Sequence, residues 1–125
     1  MQDQSLALVM TADRESAEVF RKVLPRYGLS VEVIPNGREA LARLEQSTPM
    51  LLVLDLQLPG ISGLELLAHL SGESRLAATR IFMLTADVVC GHLTGRQVDA
   101  TLLQPVSPND VIEALDQLPE FSLRL

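Results

Sequence analysis

The chain has 125 residues, of which 47% are hydrophobic, and it carries a net charge of −6 at pH 7. This length predicts one domain, residues 1–125, with residues 117–125 as the place where a linker could begin. No apolar stretch approaches the roughly 18–20 residues that cross a bilayer, and an acidic chain without a basic stripe is not expected to bind nucleic acid directly.

Short apolar runs alternate with apolar stripes at helical spacing, a pattern typical of βα units and of a parallel sheet covered on both faces. We therefore predict an α/β fold, a doubly wound five-stranded parallel sheet of flavodoxin-like type in three α/β/α layers. Asp13 and Ser107 are predicted to cap the first and last helices, and Gly28 to end the first. In chain order the predicted elements are strand 6–10, helix 13–28, strand 30–34, helix 37–47, strand 50–54, helix 63–70, strand 81–84, strand 101–103 and helix 108–118.

Residues 87–97 are the weakest part of this pattern. Gly91 and Gly95 each cost a helix about 1 kcal/mol relative to alanine, so we predict a short, poorly ordered helix there. The apolar residues of this stretch either pack on the sheet or form a patch for a partner.

Asp55 is the most informative residue, because it ends the apolar run 50–54 and is followed at once by the turn 56–60. The run is too short for a helix and predicts a buried parallel strand. Its terminal carboxylate would then lie at the carboxyl edge of the sheet, where open α/β sheets bind their ligands. An aspartate at a strand end is also often a turn or cap residue, and this segment alone leaves both interpretations open.

Four segments together resemble the receiver domain of bacterial two-component response regulators. Residues 54–63 resemble the loop of the acceptor aspartate, and the Leu-Thr-Ala of residues 84–86 resembles the Thr-Ala after strand four. Pro105 resembles the proline after strand five, and residues 36–41 resemble the second helix. The resemblance covers nearly the whole chain. It implies a signalling domain, not an enzyme, whose partner is a histidine kinase, an output domain or another signalling protein.

The resemblance also implies roles for individual residues. Asp55 takes the position of the phosphoacceptor, which receives a phosphoryl group from a histidine kinase or a small donor. Thr85 and Ala86 take the positions that contact that phosphoryl group. Because carboxylate and phosphoryl oxygens repel each other, receivers place cations there: an acidic pair after strand one holds Mg²⁺, and a lysine after strand five pairs with the phosphoryl oxygens.

The sequence departs from the family at both cationic supports. Counted back through the first helix without a gap, Thr11 and Ala12 stand where the acidic pair belongs, and Gln104 stands at the lysine position. A shifted register would bring Ala12-Asp13 to the pair, but it would still supply only one carboxylate. The only lysine, Lys22, belongs to the first helix.

Thr101 stands where the family has an aromatic residue that changes rotamer on activation. Asp13, Asp55 and the Gln57 carbonyl are a small ligand set for Mg²⁺, so we expect weak Mg²⁺ binding or none, and no other cofactor.

These departures leave two interpretations. One interpretation is a degenerate pseudo-receiver that binds a partner without phosphorylation, in which the Gln104 amide replaces the lysine beside Asp55. The other is a working receiver that is phosphorylated on Asp55.

The remaining reactive side chains do not indicate an enzyme. Neither His69 nor His92 has the further ligands that a zinc site needs, and Cys90 has no basic neighbour to activate its thiol. As the only cysteine, Cys90 cannot form an internal disulfide, and the first residues do not resemble a signal peptide, so the cytoplasm is the predicted location. A flavodoxin-like cofactor binder is the alternative of another class, although the chain has no tryptophan and one tyrosine.

Overall fold

The computed structural model describes residues 3–86 and 98–121, and these form a parallel sheet with helices on both faces. The strands are β1 (Asp3–Met10), β2 (Ser30–Ile34), β3 (Pro49–Asp55), β4 (Arg80–Thr85) and β5 (Ala100–Leu103), in the spatial order β2-β1-β3-β4-β5. The helices are α1 (Arg14–Val23), α2 (Gly37–Gln46), α3 (Gly63–Ser71) and α4 (Pro108–Asp116), with 3-10 turns at Leu24–Tyr27, Ser74–Leu76 and Pro119–Phe121. The predicted α/β fold with a five-stranded parallel sheet is confirmed.

Two apolar clusters cover the two faces of the sheet. On one face, α1 and α4 pack against the strands through side chains such as Phe20 and Leu115. On the other face, α2 and α3 pack through side chains such as Leu44 and Leu66. Successive strand residues point to opposite faces, so a strand covered on both sides must be apolar throughout, as residues 51–54 are.

The first helix is shorter than the sequence predicts. α1 ends at Val23, and the 3-10 turn Leu24–Tyr27 continues the chain to Gly28, which has a φ of 78°. Pro25 accounts for the change, because it has no N–H to donate to the carbonyl four residues earlier. Gly28 therefore ends the helical segment as expected, but the last turn before it is not α-helical.

The helix caps agree with the sequence. The Asp13 side chain accepts a hydrogen bond from the backbone N–H of Ser16 at the start of α1. Ser107 and Asp110 exchange side-chain and backbone hydrogen bonds at the start of α4, which is a capping box. These caps fix where the chain leaves β1 and β5, and hence the loops at the carboxyl edge of the sheet.

The predicted helix at 87–97 lies outside the described residues. Of the segment 117–125, residues up to Phe121 are described, and the Phe121 side chain packs in the core beside α4. Within residues 3–86 and 98–121, none of the helices has the length and apolar character needed to cross a membrane.

Candidate functional site

Asp55 is the last residue of β3 and is 5% exposed, at the carboxyl edge of the sheet. Three groups donate hydrogen bonds to its carboxylate. The Thr11 hydroxyl lies 2.6 Å from Oδ2, the backbone N–H of Gln57 lies 2.9 Å from Oδ1, and Nε2 of Gln104 lies 3.4 Å from Oδ2. Within the described ranges all of its donors are neutral, so Asp55 is a nearly buried carboxylate held without a positive charge.

The strand register brings Thr11 to Asp55. Met10, the last residue of β1, pairs with Leu54 of β3. The residues that follow them, Thr11 just beyond β1 and Asp55 at the end of β3, therefore lie at the same level of the edge. Thr11 is 1% exposed, and its hydroxyl also accepts a hydrogen bond from the backbone N–H of Asp13 at 3.1 Å. Of the two placements considered from sequence, the structure therefore brings Thr11 into contact with Asp55 and turns the Asp13 side chain toward α1.

Gln104 reaches the site from the other side. Its backbone N–H donates to the Thr85 carbonyl at 2.9 Å, which continues the β4–β5 pairing past the end of β5, and its peptide bond to Pro105 is cis. The side-chain Nε2 then lies within hydrogen-bonding distance of both Asp55 and Ser16. The predicted contact between the Gln104 amide and Asp55 is present, at a long 3.4 Å.

Sequence reasoning missed Ser16. Its hydroxyl donates to Asp13 Oδ2 at 2.6 Å and accepts from Gln104 Nε2 at 3.3 Å, and the residue is 1% exposed. A serine three residues after a capping aspartate is ordinarily explained by the cap itself, so the sequence gives no separate signal for a contact with residue 104. Only the packing of α1 beside the loop after β5 brings the two together.

The other positions singled out from the sequence lie on the same edge or near it. Thr85 ends β4 and is 2% exposed, and Ala86 follows it in an exposed bend. Thr101 is an exposed residue of the edge strand β5, opposite Met83.

The loop after Asp55 is fixed by close backbone packing against α2. The backbone N–H of Gly37 donates to the Pro59 carbonyl at 2.7 Å. A Cβ on Gly37 would lie 2.1 Å from the Ile61 carbonyl oxygen, and one on Gly63 would lie 2.5 Å from the Asp55 carbonyl oxygen. Both positions require glycine, and together they hold the loop against the start of α2.

An open cavity of about 410 Å³ lies beside Asp55 at the carboxyl edge of the sheet. Ala12, Asp13, Asp55, Gln57, Gln104 and Pro105 line it. Over the residues that the structure describes, no group of three or more His, Cys, Asp or Glu side chains is placed to hold a metal ion. A small molecule could reach Asp55 from this side.

Comparison with known proteins identifies the family. The family model of the response regulator receiver domain, which describes the sequences of that family, matches residues 7–116 of the chain. This chain belongs to that family. Receivers are signalling modules of two-component systems, and the five-stranded parallel sheet described above is their fold.

Three similar proteins illustrate the relationship. The receiver is 34% identical over 110 residues to the DNA-binding response regulator MtrA of Mycolicibacterium paratuberculosis, covering 84% of this chain and 47% of that protein. It is 39% identical over 111 residues to the phosphate regulon transcriptional regulatory protein PhoB of Rhizobium meliloti, covering 84% and 48%. A crystal structure of a putative response regulator from Chloroflexus aurantiacus superimposes with a TM-score of 0.78 at 25% identity, covering 92% of this chain and 97% of that one. The chain spans about half the length of the curated relatives it matches.

Family membership decides the coarse function. The receiver acts in two-component signalling, where response regulators interact with kinases and output domains. The flavodoxin-like cofactor binder, the alternative of another class from sequence, is not the family that matches. Receivers in general transmit signals and are not enzymes. The roles of the individual residues around Asp55 remain predictions.

Proposed function

We propose that this receiver is a pseudo-receiver, which binds its protein partner in one resting conformation and does not depend on phosphorylation. The observation that carries the proposal is the set of neutral donors around Asp55. Thr11 stands where the family resemblance places an acidic residue of the Mg²⁺-binding pair, and Gln104 stands where it places a lysine. Both donate hydrogen bonds to Asp55 Oδ2. The carboxylate is therefore satisfied by groups that add no positive charge.

Electrostatics disfavour phosphoryl transfer to such a carboxylate. An incoming phosphoryl group brings several negative oxygens close to Asp55, and like charges repel more strongly in a partly buried site than in bulk water. Removing one charge-stabilising donor from a preorganised site commonly costs about 3 kcal/mol, or on the order of 10²-fold in rate. Here two supports are replaced. Thr11 and Ala12 stand in place of the acidic pair, and Gln104 stands in place of the lysine.

The same contacts support weak Mg²⁺ binding or none. Mg²⁺ requires nearly octahedral coordination by oxygen and gives up its water reluctantly. Both oxygens of Asp55 already accept hydrogen bonds, and Oδ2 of Asp13 accepts two from Ser16. The Gln57 carbonyl is the third ligand predicted from sequence, and these three residues do not make an adequate Mg²⁺ site.

A second candidate is a working receiver phosphorylated on Asp55. It is favoured by the open cavity that Asp55 lines and by the hydroxyl residue Thr85 at the end of the neighbouring strand β4. Thr85 and Ala86 would then contact the phosphoryl group, as the family resemblance implies.

The partner in either case is a protein of the signalling pathway, such as a histidine kinase or an output domain, and the proposed location is the cytoplasm. Two of the curated relatives are DNA-binding or transcriptional regulators of about twice this length. The net charge of −6 does not favour direct contact with a phosphate backbone. Any action on nucleic acid would therefore pass through an output domain.

Intact mass spectrometry after incubation with acetyl phosphate and Mg²⁺ separates the two candidates. The unmodified chain should gain no phosphoryl group. The double variant Ala12→Asp plus Gln104→Lys restores a carboxylate and a cation to the site and should become phosphorylated, and adding Asp55→Asn to it should abolish the gain. Substantial phosphorylation of the unmodified chain at Asp55 would refute the pseudo-receiver and establish the second candidate.

A spectroscopic measurement tests the single resting conformation. Beryllofluoride with Mg²⁺ imitates the bound phosphoryl group, and the amide NMR spectrum of the unmodified chain should stay unchanged when both are added. The double variant should show shifts around Asp55 and Thr85. Shifts of equal size in the unmodified chain would contradict the proposal.

A further inference from the structure

We propose that Ser16 is a positioning residue for Asp55, because its hydroxyl orients the Gln104 amide so that the NH₂ group faces the Asp55 carboxylate. The inference rests on the proposed function, since it concerns one of the neutral donors that hold Asp55 in its resting arrangement. It adds a residue of α1 to a site otherwise built from the strand ends.

The direction of the hydrogen bonds at Ser16 follows from its partners. A hydroxyl has one hydrogen to donate, and a carboxylate can only accept. The 2.6 Å contact between Ser16 Oγ and Asp13 Oδ2 therefore uses the serine hydrogen. The lone pairs of Ser16 Oγ remain, and they can only accept, which matches the Gln104 Nε2 atom at 3.3 Å.

The same reasoning fixes the orientation of the Gln104 amide. The nitrogen and oxygen of a side-chain amide are assigned from the groups around them. Nε2 of Gln104 faces two acceptors, Ser16 Oγ at 3.3 Å and Asp55 Oδ2 at 3.4 Å. A reversed amide would place its oxygen against both acceptors. Each bond is long and therefore weak, so the two acceptors together set the orientation.

Ser16 can serve this purpose because it is itself held in place. Its backbone N–H donates to Asp13 Oδ2 at 3.3 Å in the first turn of α1, and the side chain is 1% exposed. The backbone N–H of Asp13 donates to Thr11, whose hydroxyl donates to Asp55. Hydrogen bonds thus run in a closed ring through Asp55, Thr11, Asp13, Ser16 and Gln104. Removing the Ser16 hydroxyl breaks its contacts with Asp13 Oδ2 and Gln104 Nε2 and leaves the contact between Thr11 and Asp55 intact.

NMR spectroscopy of the unmodified 125-residue chain and of Ser16→Ala tests the inference. The side-chain amide signals of Gln104 are assigned by their loss in Gln104→Leu. In the unmodified chain these amide protons should show nuclear Overhauser contacts to the β protons of Ser16. In Ser16→Ala they should exchange with water about twofold to threefold faster, the factor expected when one hydrogen bond at the weak end of the usual range is lost.

A matched control separates positioning from a general loss of a buried hydroxyl. Ser47 is 4% exposed and donates to the Arg43 carbonyl at 2.7 Å, with no contact to the ring. Ser47→Ala should leave the exchange of the Gln104 amide unchanged. Equal acceleration in both serine variants would mean that Ser16 acts only through stability, and would overturn the inference.

Two further outcomes keep this test independent of the proposed function. Absent contacts to Ser16 in the unmodified chain would overturn the inference whether or not Ser16→Ala folds well. An unchanged Gln104 amide in a folded Ser16→Ala would also overturn it. Phosphorylation of the unmodified chain would instead refute the pseudo-receiver. The response of the Gln104 amide, measured in the unphosphorylated chain, would still decide the role of Ser16.

Discussion

Thr11→Val is the most direct perturbation of the hydrogen bonds around Asp55. Valine has nearly the same shape as threonine, so the change removes the hydroxyl and leaves the packing in place. The lost hydroxyl donates to Asp55 Oδ2 at 2.6 Å and accepts from the backbone N–H of Asp13 at 3.1 Å. The variant tests whether the neutral Thr11 hydroxyl makes the largest contribution to stabilising the Asp55 carboxylate.

The expected magnitude follows from burial and charge. Thr11 is 1% exposed and Asp55 is 5% exposed, so water cannot readily replace the lost donor. A hydrogen bond to a charged group contributes about 1.5–3 kcal/mol, and the remaining donor to Oδ2, Gln104, is 3.4 Å away. We therefore expect Thr11→Val to lower the free energy of unfolding by about 2 kcal/mol.

Thr79→Val is the matched control. Thr79 is also buried, at 3% exposure, and its hydroxyl donates to the Pro49 carbonyl at 2.7 Å, which is a neutral acceptor. A hydrogen bond between neutral groups contributes about 0.5–1.5 kcal/mol, so this variant should lose less stability. The difference between the two variants contains the contribution of the carboxylate charge and the lost contact with the Asp13 N–H, and an Asp55→Asn background separates them.

Urea unfolding followed by circular dichroism measures both losses. The effect of Thr11→Val should shrink in an Asp55→Asn background, because the acceptor there is neutral. Equal losses for Thr11→Val and Thr79→Val, or a loss below about 0.5 kcal/mol for Thr11→Val, would refute the reasoning that the hydroxyl stabilises a buried charge.

Three other outcomes follow from the structure. Gly37→Ala should lower the free energy of unfolding by about 1–3 kcal/mol, because its Cβ would lie 2.1 Å from the Ile61 carbonyl oxygen, whereas Gly72→Ala, with its nearest atom at 3.8 Å, should be nearly neutral; equal effects in urea unfolding would count against close packing of the loop. Burial and the Asp116 carboxylate raise the pKa of Tyr27, the only tyrosine, so its contribution to stability is complete below pH about 10 and declines as the pH rises through the folded pKa; Asp116→Asn should lower the midpoint of its ultraviolet titration, and an unchanged midpoint would be contrary evidence. Isothermal titration should find no specific Mg²⁺ site with a dissociation constant below the millimolar range, and a sub-millimolar site would show that the ligand set has been underestimated.

The order of the elements could be predicted from local sequence. Short apolar runs and helical stripes have different periods, and caps such as Asp13 and Ser107 act on the next few residues, so neither depends on distant contacts. The prediction was wrong at the end of the first helix, where Pro25 converts the last turn to a 3-10 turn. The placement of Asp55 at a strand tip followed from the same local pattern.

The sequence by itself determined the α/β alternation, the strand end at Asp55 and the absence of a lysine from position 104. Each of these depends only on residue identities and on patterns among neighbouring residues. Only the tertiary structure decided which side chains meet there. The pairing of β1 with β3 selects Thr11 as the direct partner of Asp55, and the packing of α1 against the end of β5 brings Ser16 to Gln104. These contacts join residues 44 and 88 positions apart, so they depend on strand register and helix packing, which no local pattern specifies.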